Sequence, residues 1–145
     1  MELNKNDKLI LDNQLCFPLY AASREIIKLY RPQLDALNLT YTQYIAMMVL
    51  WEKKRINSKE LGQRLFLDSG TLTPVLKSLE AKGWVRRYRS ADDERMLMVE
   101  ITPAGEALRR DALNLPETVR SCVHLSEDET AQLHSLLAKL LKTFK

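Results

Sequence analysis

The side chains best placed to do chemistry in this chain are those that could grip a polyanion: Thr71, Thr73 and Lys77 in one short stretch, then Arg86, Arg87, Arg89 and Arg95 directly after it. Short hydroxyls and an ammonium can approach base edges and phosphates, and guanidinium groups bond to either in pairs. The stretch is amphipathic. Leu72, Val75, Leu76 and Leu79 recur at i, i+3, i+4, i+7, which seats one helical face on a core and turns Thr71, Thr73, Pro74, Lys77 and Ser78 outward. Net charge is only +3, from 22 basic and 19 acidic residues, so the information lies in the distribution. Residues 82–95 hold five basic residues, four of them arginines, whereas acids gather in residues 117–129 and near helix starts. A local basic patch on a nearly balanced protein is what a phosphate-binding face requires. A solvated hairpin is the plain alternative for such a run, and its place directly after the amphipathic helix favours the binding face. The other candidate groups say less on their own. Cys16 and Cys122 each fall on an apolar stripe and suit small buried residues, and His124 and His134 are not grouped with carboxylates or cysteines as a metal site would be.

The elements that must position these groups can be read from caps and periods. Leu15, Leu19, Ala22, Ile26 and Leu29, with a second stripe of Cys16, Tyr20, Ile27, Tyr30 and Leu34, describe a first helix beginning after Asp12 or Asn13. Pro18 is harmless in its first turn, and Pro32 should bend or end it near Arg31. Thr40 with Gln43 forms a capping box ahead of Tyr44, Met47, Met48 and Trp51. Asn57 or Ser58 caps a short third helix, and Asp68 can cap a fourth. Pro74 lies inside that fourth helix, so either its first turn is bent or it starts at Thr73; the bent form keeps Leu72 in use. Gly83 supplies a left-handed stop. Residues 84–89 and 97–101 alternate as two strands around a polar tip. Thr102 and Pro103 open a fifth helix with Leu108, Ala112, Leu115, Val119 and Cys122 on one face and a kink at Pro116. Ser126 with Glu129 opens the last one. Helix, turn, helix and arginine-rich hairpin in this order read as a winged helix-turn-helix.

At 145 residues the chain suits one compact domain. It is expected to be mainly α with a small β-hairpin: a single 1–145 domain, with a winged helix-turn-helix at 40–102 and dimerisation helices at 9–37 and 103–145. The flanking helices carry more apolar surface than the winged part can cover, which points to a homodimer. Two-fold symmetry would set two recognition helices about 34 Å apart, one turn of DNA, to match a palindromic site. No apolar run reaches the roughly 18 residues that span a bilayer, and residues 1–8 are too charged for a signal peptide, so a cytoplasmic protein with no membrane partner is expected.

Several runs together resemble the MarR-type winged-helix regulators, and within them the OhrR-type sensors of organic hydroperoxides: Leu15-Cys16-Phe17 with Leu19-Tyr20, the run from Leu39 through Thr40, Tyr41, Thr42 and Gln43 to Tyr44, the run from Leu67 through Asp68 and Ser69 to Pro74, and Arg89-Ser90-Ala91-Asp92-Asp93-Glu94-Arg95. The resemblance spans essentially the whole chain. It implies that Cys16 is the peroxide-sensing thiol and that the hydroxyls of Tyr30 and Tyr41 reach its sulfur from the partner subunit. It implies that Arg95 enters the minor groove with Asp93 steadying it, and that Asp68, Ser69, Thr71, Thr73 and Lys77 belong to the recognition-helix region; Arg86, in the basic hairpin, is expected to join them on the DNA-binding surface. A sensor with one cysteine must trap its sulfenic acid with an outside thiol, whereas a second can resolve it into a disulfide; the resemblance is to the two-cysteine kind, with Cys122 resolving. The implied protein is no enzyme and needs no cofactor or metal. It is a repressor that binds double-stranded operator DNA as a homodimer when reduced and is released when an organic hydroperoxide oxidises Cys16. The rival readings are a MarR-type regulator gated by a phenolic or aromatic ligand, with structural cysteines, and a thiol peroxidase, for which no peroxidase-like fold is visible.

Overall fold

The structure, a computed structural model, describes residues 7–145. Residues 1–6, most of the charged start that weighs against a signal peptide, lie outside the described residues. The chain up to Leu115 forms one compact unit and Pro116–Lys145 a second.

In the first unit, helix α1 (Cys16–Ala36) follows a short 3-10 turn at Leu11–Asn13. It does not stop at Arg31. Pro32 lies inside it, and the helix carries on because Leu34 beyond the proline is buried and Leu37 packs on the same core, which offsets the roughly 3 kcal/mol cost of an interior proline. Helix α2 (Tyr41–Lys53) opens with both halves of the expected capping box in place: Thr40 Oγ1 accepts from the Gln43 N–H, and Gln43 Oε1 from the Thr40 N–H. Its Tyr44, Met47 and Leu50 are buried.

A three-residue strand β1 (Arg55–Asn57) comes next, a strand the alternation in the sequence does not announce. Asn57 then caps α3 (Ser58–Leu65), accepting from the Glu60 N–H at 2.8 Å. Phe66, in the left-handed region at φ 56°, turns the chain into α4 (Ser69–Ala81), and Gly83 at φ 79° closes α4, with the Gly83 and Trp84 amides bonded back to the carbonyls of Glu80 and Leu79. Strands β2 (Val85–Arg89) and β3 (Leu97–Ile101) form the hairpin. The sheet is antiparallel in the order β1-β3-β2, with Ile56 opposite Val99 and Arg87 opposite Val99 on the other side, so the hairpin is really a three-stranded wing whose root is stitched to α3. The core beneath it is apolar and shared by the helices: Leu61, Leu72, Leu76, Leu79, Val85 and Val99 are buried together with the α2 residues.

Helix α5 (Pro103–Ala112) starts as expected, with Thr102 accepting from the Gly105 N–H. The chain approaches itself closely here, since a Cβ on Gly105 would stand 2.2 Å from the Trp84 carbonyl oxygen. The expected fifth helix does not continue with a kink. It ends, and a separate α6 (Leu115–Ser121) begins with Pro116 in its first turn, where a missing N–H costs nothing. In the second unit, Ser126 and Glu129 form the second capping box, opening α7 (Glu127–Leu141). Among the described residues no helix is long and apolar enough to cross a membrane.

Candidate functional site

Helix α4 is presented by its cap. Asp68 Oδ1 accepts from the Thr71 N–H at 2.8 Å, and hydrogen bonds from Thr71 and Gly70 hold the Asp68 carboxyl below the usual carboxylate range. The helix runs from Ser69 with Pro74 inside it, which excludes a start at Thr73. Leu72, Val75, Leu76 and Leu79 face inward as the spacing requires, and Ser69, Thr71, Thr73, Pro74 and Lys77 are exposed. Thr73 Oγ1 donates to the Ser69 carbonyl at 2.7 Å, which steadies the turn that Pro74 leaves one donor short. Ser78 departs from its expected outward place. Its hydroxyl accepts from Gln43 Nε2 at 3.0 Å and so faces α2.

The basic run divides into two kinds of side chain. Lys82 points inward, donating to the Asn38 carbonyl and to Gln43 Oε1, with its ammonium 5.4 Å from the Trp84 ring centre; burial pushes its pKa down. Arg87 is also structural. Its N–H and guanidinium bond both carboxylate oxygens of Glu80 at 2.9 to 3.3 Å, tying the wing to the last turn of α4, and these bonds hold the Glu80 carboxyl below its ordinary range. Arg86 pairs with Glu100 directly across the strand pair and lies 4.6 Å over the Tyr88 ring, and the bond to Glu100 raises its pKa. Arg89 and Arg95 lie exposed towards the tip, and Arg86, although paired, is still 64% exposed. Arg95 is 95% exposed, while its backbone N–H and its Nε reach Asp93 Oδ1 at 3.0 and 3.6 Å, so Asp93 shapes the tip without covering the guanidinium. Below the tip, Asp93, Arg95 and Met96 face Asn57, Ser58 and Gln63 across a cleft of about 500 Å³. Nothing in the local sequence signals this cleft, because β1 exists only through its pairing with β3.

The thiols lie elsewhere. Cys16 is the first residue of α1; it is exposed, with no hydrogen-bond partner among the described residues. Cys122 follows the last turn of α6 and is exposed, its Sγ donating to the Thr118 carbonyl at 3.5 Å. It does not sit on a buried stripe with Leu115 and Val119, because α6 has ended before it. The Arg120 guanidinium bonds the carbonyls of Val123, Leu125 and Ser126 and so fixes this turn. Tyr30 and Tyr41 pack ring to ring at 5.2 Å across α1 and α2. Tyr44, which the spacing assigns only to the core, completes a cluster at 5.7 and 6.1 Å from them. Burial raises all three phenol pKa values, that of Tyr44 to about 12, with the neighbouring phenols adding to the effect at Tyr44 and Tyr30. The phenols therefore keep their protons and remain hydrogen-bond donors at neutral pH. Within the chain these hydroxyls do not bond Cys16.

This geometry has close counterparts. A family described as transcriptional regulator SarA/Rot matches residues 28–111. The organic hydroperoxide resistance transcriptional regulator of Bacillus subtilis (strain 168) is 46% identical over 140 residues, covering 97% of this chain and 95% of that protein. Reduced AbfR bound to DNA, the AbfR of Staphylococcus epidermidis, is 37% identical with a TM-score of 0.78, covering 97% of this chain and 99% of that one. Disulfide-formed AbfR is 35% identical with a TM-score of 0.67, covering 97% and 96%. These similarities run through both the winged module and the flanking helices, and the matching proteins are regulators rather than enzymes. The chain belongs to the MarR-type winged-helix transcriptional regulators, within the SarA/Rot family and beside the organic hydroperoxide resistance regulators.

Proposed function

We propose that the protein is a redox-sensing transcriptional repressor. It binds a pseudo-palindromic operator as a homodimer when reduced, and oxidation of Cys16 by an organic hydroperoxide releases it. One observation carries this reading: the DNA-reading module is held together by its own bonds, while both thiols stand exposed and unpaired with each other. The chain superposes on AbfR bound to DNA in both its reduced and its overoxidized forms, with TM-scores of 0.78 and 0.77, which supports DNA binding by this fold.

In the proposed chemistry the Cys16 thiolate attacks the outer oxygen of the hydroperoxide. The O–O bond breaks, the remaining alkoxide takes a proton and leaves as the alcohol, and the sulfur becomes a sulfenic acid. The Cys122 thiolate of the partner subunit then attacks that sulfur; an S–S bond forms, the S–O bond breaks, and the departing hydroxide takes a proton from solvent to become water. Tyr30 and Tyr41 of the facing subunit donate hydrogen bonds to the Cys16 thiolate beforehand, and residues 9–37 and 103–145 supply the dimer helices. Ser69, Thr71, Thr73 and Lys77 on α4, with Arg86 and Arg95 on the wing, meet the DNA; Asp68 and Asp93 orient them. Specific binding exceeds nonspecific binding by roughly 4–10 kcal/mol, so misplacing one half-site removes much of the preference.

Operator occupancy before and after cumene hydroperoxide, with a nonreducing gel alongside, tests this. The expected result is release together with a covalent dimer that is missing in Cys16→Ser and in Cys122→Ser. Release that persists in Cys16→Ser would point instead to a regulator gated by a bound ligand.

A further inference from the structure

Gln43 is the one polar side chain among the buried residues of the described chain. Both ends of its amide are engaged. Oε1 accepts from the Thr40 N–H at 3.1 Å and from the Lys82 ammonium at 2.9 Å, and Nε2 donates to Ser78 Oγ at 3.0 Å. These partners sit at the start of α2, in the third turn of α4 and at its C-cap, and Lys82 also reaches the Asn38 carbonyl in the turn between α1 and α2. An apolar side chain of equal volume would fill this space, so packing alone does not call for an amide here. What the amide adds is direction: the bond to Thr40 fixes the Gln43 side chain at the start of α2, and the bonds to Ser78 and Lys82 tie that start to α4, so a shift of one helix relative to the other strains both cross-helix bonds together.

The start of α2 is also where Tyr41 and Tyr44 pack against Tyr30 of α1. The tyrosine cluster and the recognition helix therefore lie on either side of one buried amide. We infer that Gln43, with Ser78 and Lys82, is a positioning joint that carries a displacement of the tyrosine cluster to α4, so that an event at the thiol side resets the angle at which the recognition helix is held. This rests on the redox-switch reading and names how that switch reaches the DNA. None of the three residues belongs to the exposed face of α4 or to the wing tip, so their contribution is to the transfer and not to the grip.

Operator affinity of the full-length protein, reduced and after peroxide treatment, tests the joint in Ser78→Ala, Lys82→Met and Gln43→Met, with thermal melting and the rate of Cys16 loss to an alkylating probe measured in parallel. Ser78→Ala and Lys82→Met leave the Gln43 to Thr40 cap intact, so the inference does not depend on whether Gln43→Met folds. Both are expected to oxidise Cys16 at the wild-type rate and to bind operator in the reduced state within about threefold of wild type, while the ratio of oxidised to reduced Kd falls by about tenfold. An unchanged ratio overturns the joint, and so does an equal loss of affinity in both redox states, which is what a merely structural role gives. A wild-type protein that keeps its operator with Cys16 fully oxidised would sink the redox reading itself, which separates that failure from failure of the joint.

Discussion

In the winged module the charged side chains find partners close at hand: Arg87 with Glu80, Arg86 with Glu100, Lys82 with Gln43, and Asp68 with the amides of its own helix. In α1 and α7 the pattern reverses. Phe17, Tyr20 and Ile27 on α1, and Leu133, Leu136 and Leu140 on α7, stand exposed at helical spacing, and Cys16 has no hydrogen-bond partner among the described residues. A soluble helix rarely leaves such a stripe bare unless another surface covers it. The contrast teaches that the reading head makes its contacts within one chain, whereas α1 and α7 each leave an apolar face uncovered, the faces that the proposed homodimer would bury.

The heaviest blow to this contrast is a charge in the bare stripe. Leu136→Lys is expected to convert the dimer to a monomer in sedimentation and to lower operator affinity by about 100-fold, as loss of two-site engagement does. Gly105→Ala strikes the complete half instead: its methyl group meets the Trp84 carbonyl, and unfolding is expected to shift by about 1–3 kcal/mol in denaturant titrations, with both redox states affected alike. Arg95→Ala should leave folding untouched, weaken operator binding about tenfold and reduce the salt slope by about one contact. Unchanged affinity would remove Arg95 from the DNA surface.

Smaller effects come from titration. Hydrogen bonds from Arg87 hold Glu80 below its unfolded value, so their stabilisation is present above the ordinary carboxylate pKa and fades as pH falls through the depressed folded value. Glu80→Gln should remove that acid-side dependence from wing protection in amide exchange. At the alkaline end the phenols behave in the opposite sense. Tyr44 is raised from 10.0 to about 12, so stability is intact below 10 and declines between the two values; ultraviolet titration of the folded protein should find its phenolate emerging only near about 12.

What could be read from the sequence were local devices. Thr40 with Gln43, Asp68, Thr102 and Ser126 with Glu129 act within one helical turn, and each caps where its residue types require. The inward and outward faces of α4 were legible for the same reason, since period alone sets them. Features that depend on distant partners were not. Strand β1 has only three residues and exists because β3 offers a free edge. Ser78 and Lys82 turn inward toward Gln43, which lies 35 and 39 residues away, and no spacing rule reveals that. Helix α1 survives Pro32 through burial of Leu34, and Cys122 is exposed because α5 and α6 part before it. In the candidate site, the outward Lys77 and Arg95 followed from pattern and resemblance, while the division of the arginines into holders and free tips needed the fold.

The bidentate grip of Glu80 on Arg87 carries one last consequence. With helix and wing already fastened to each other, a duplex that arrives has little loose chain to immobilise, and the entropy lost on docking falls mainly on exposed side chains such as Lys77 and Arg95. Calorimetry on such a head should show a smaller entropic penalty than on a variant whose wing swings free.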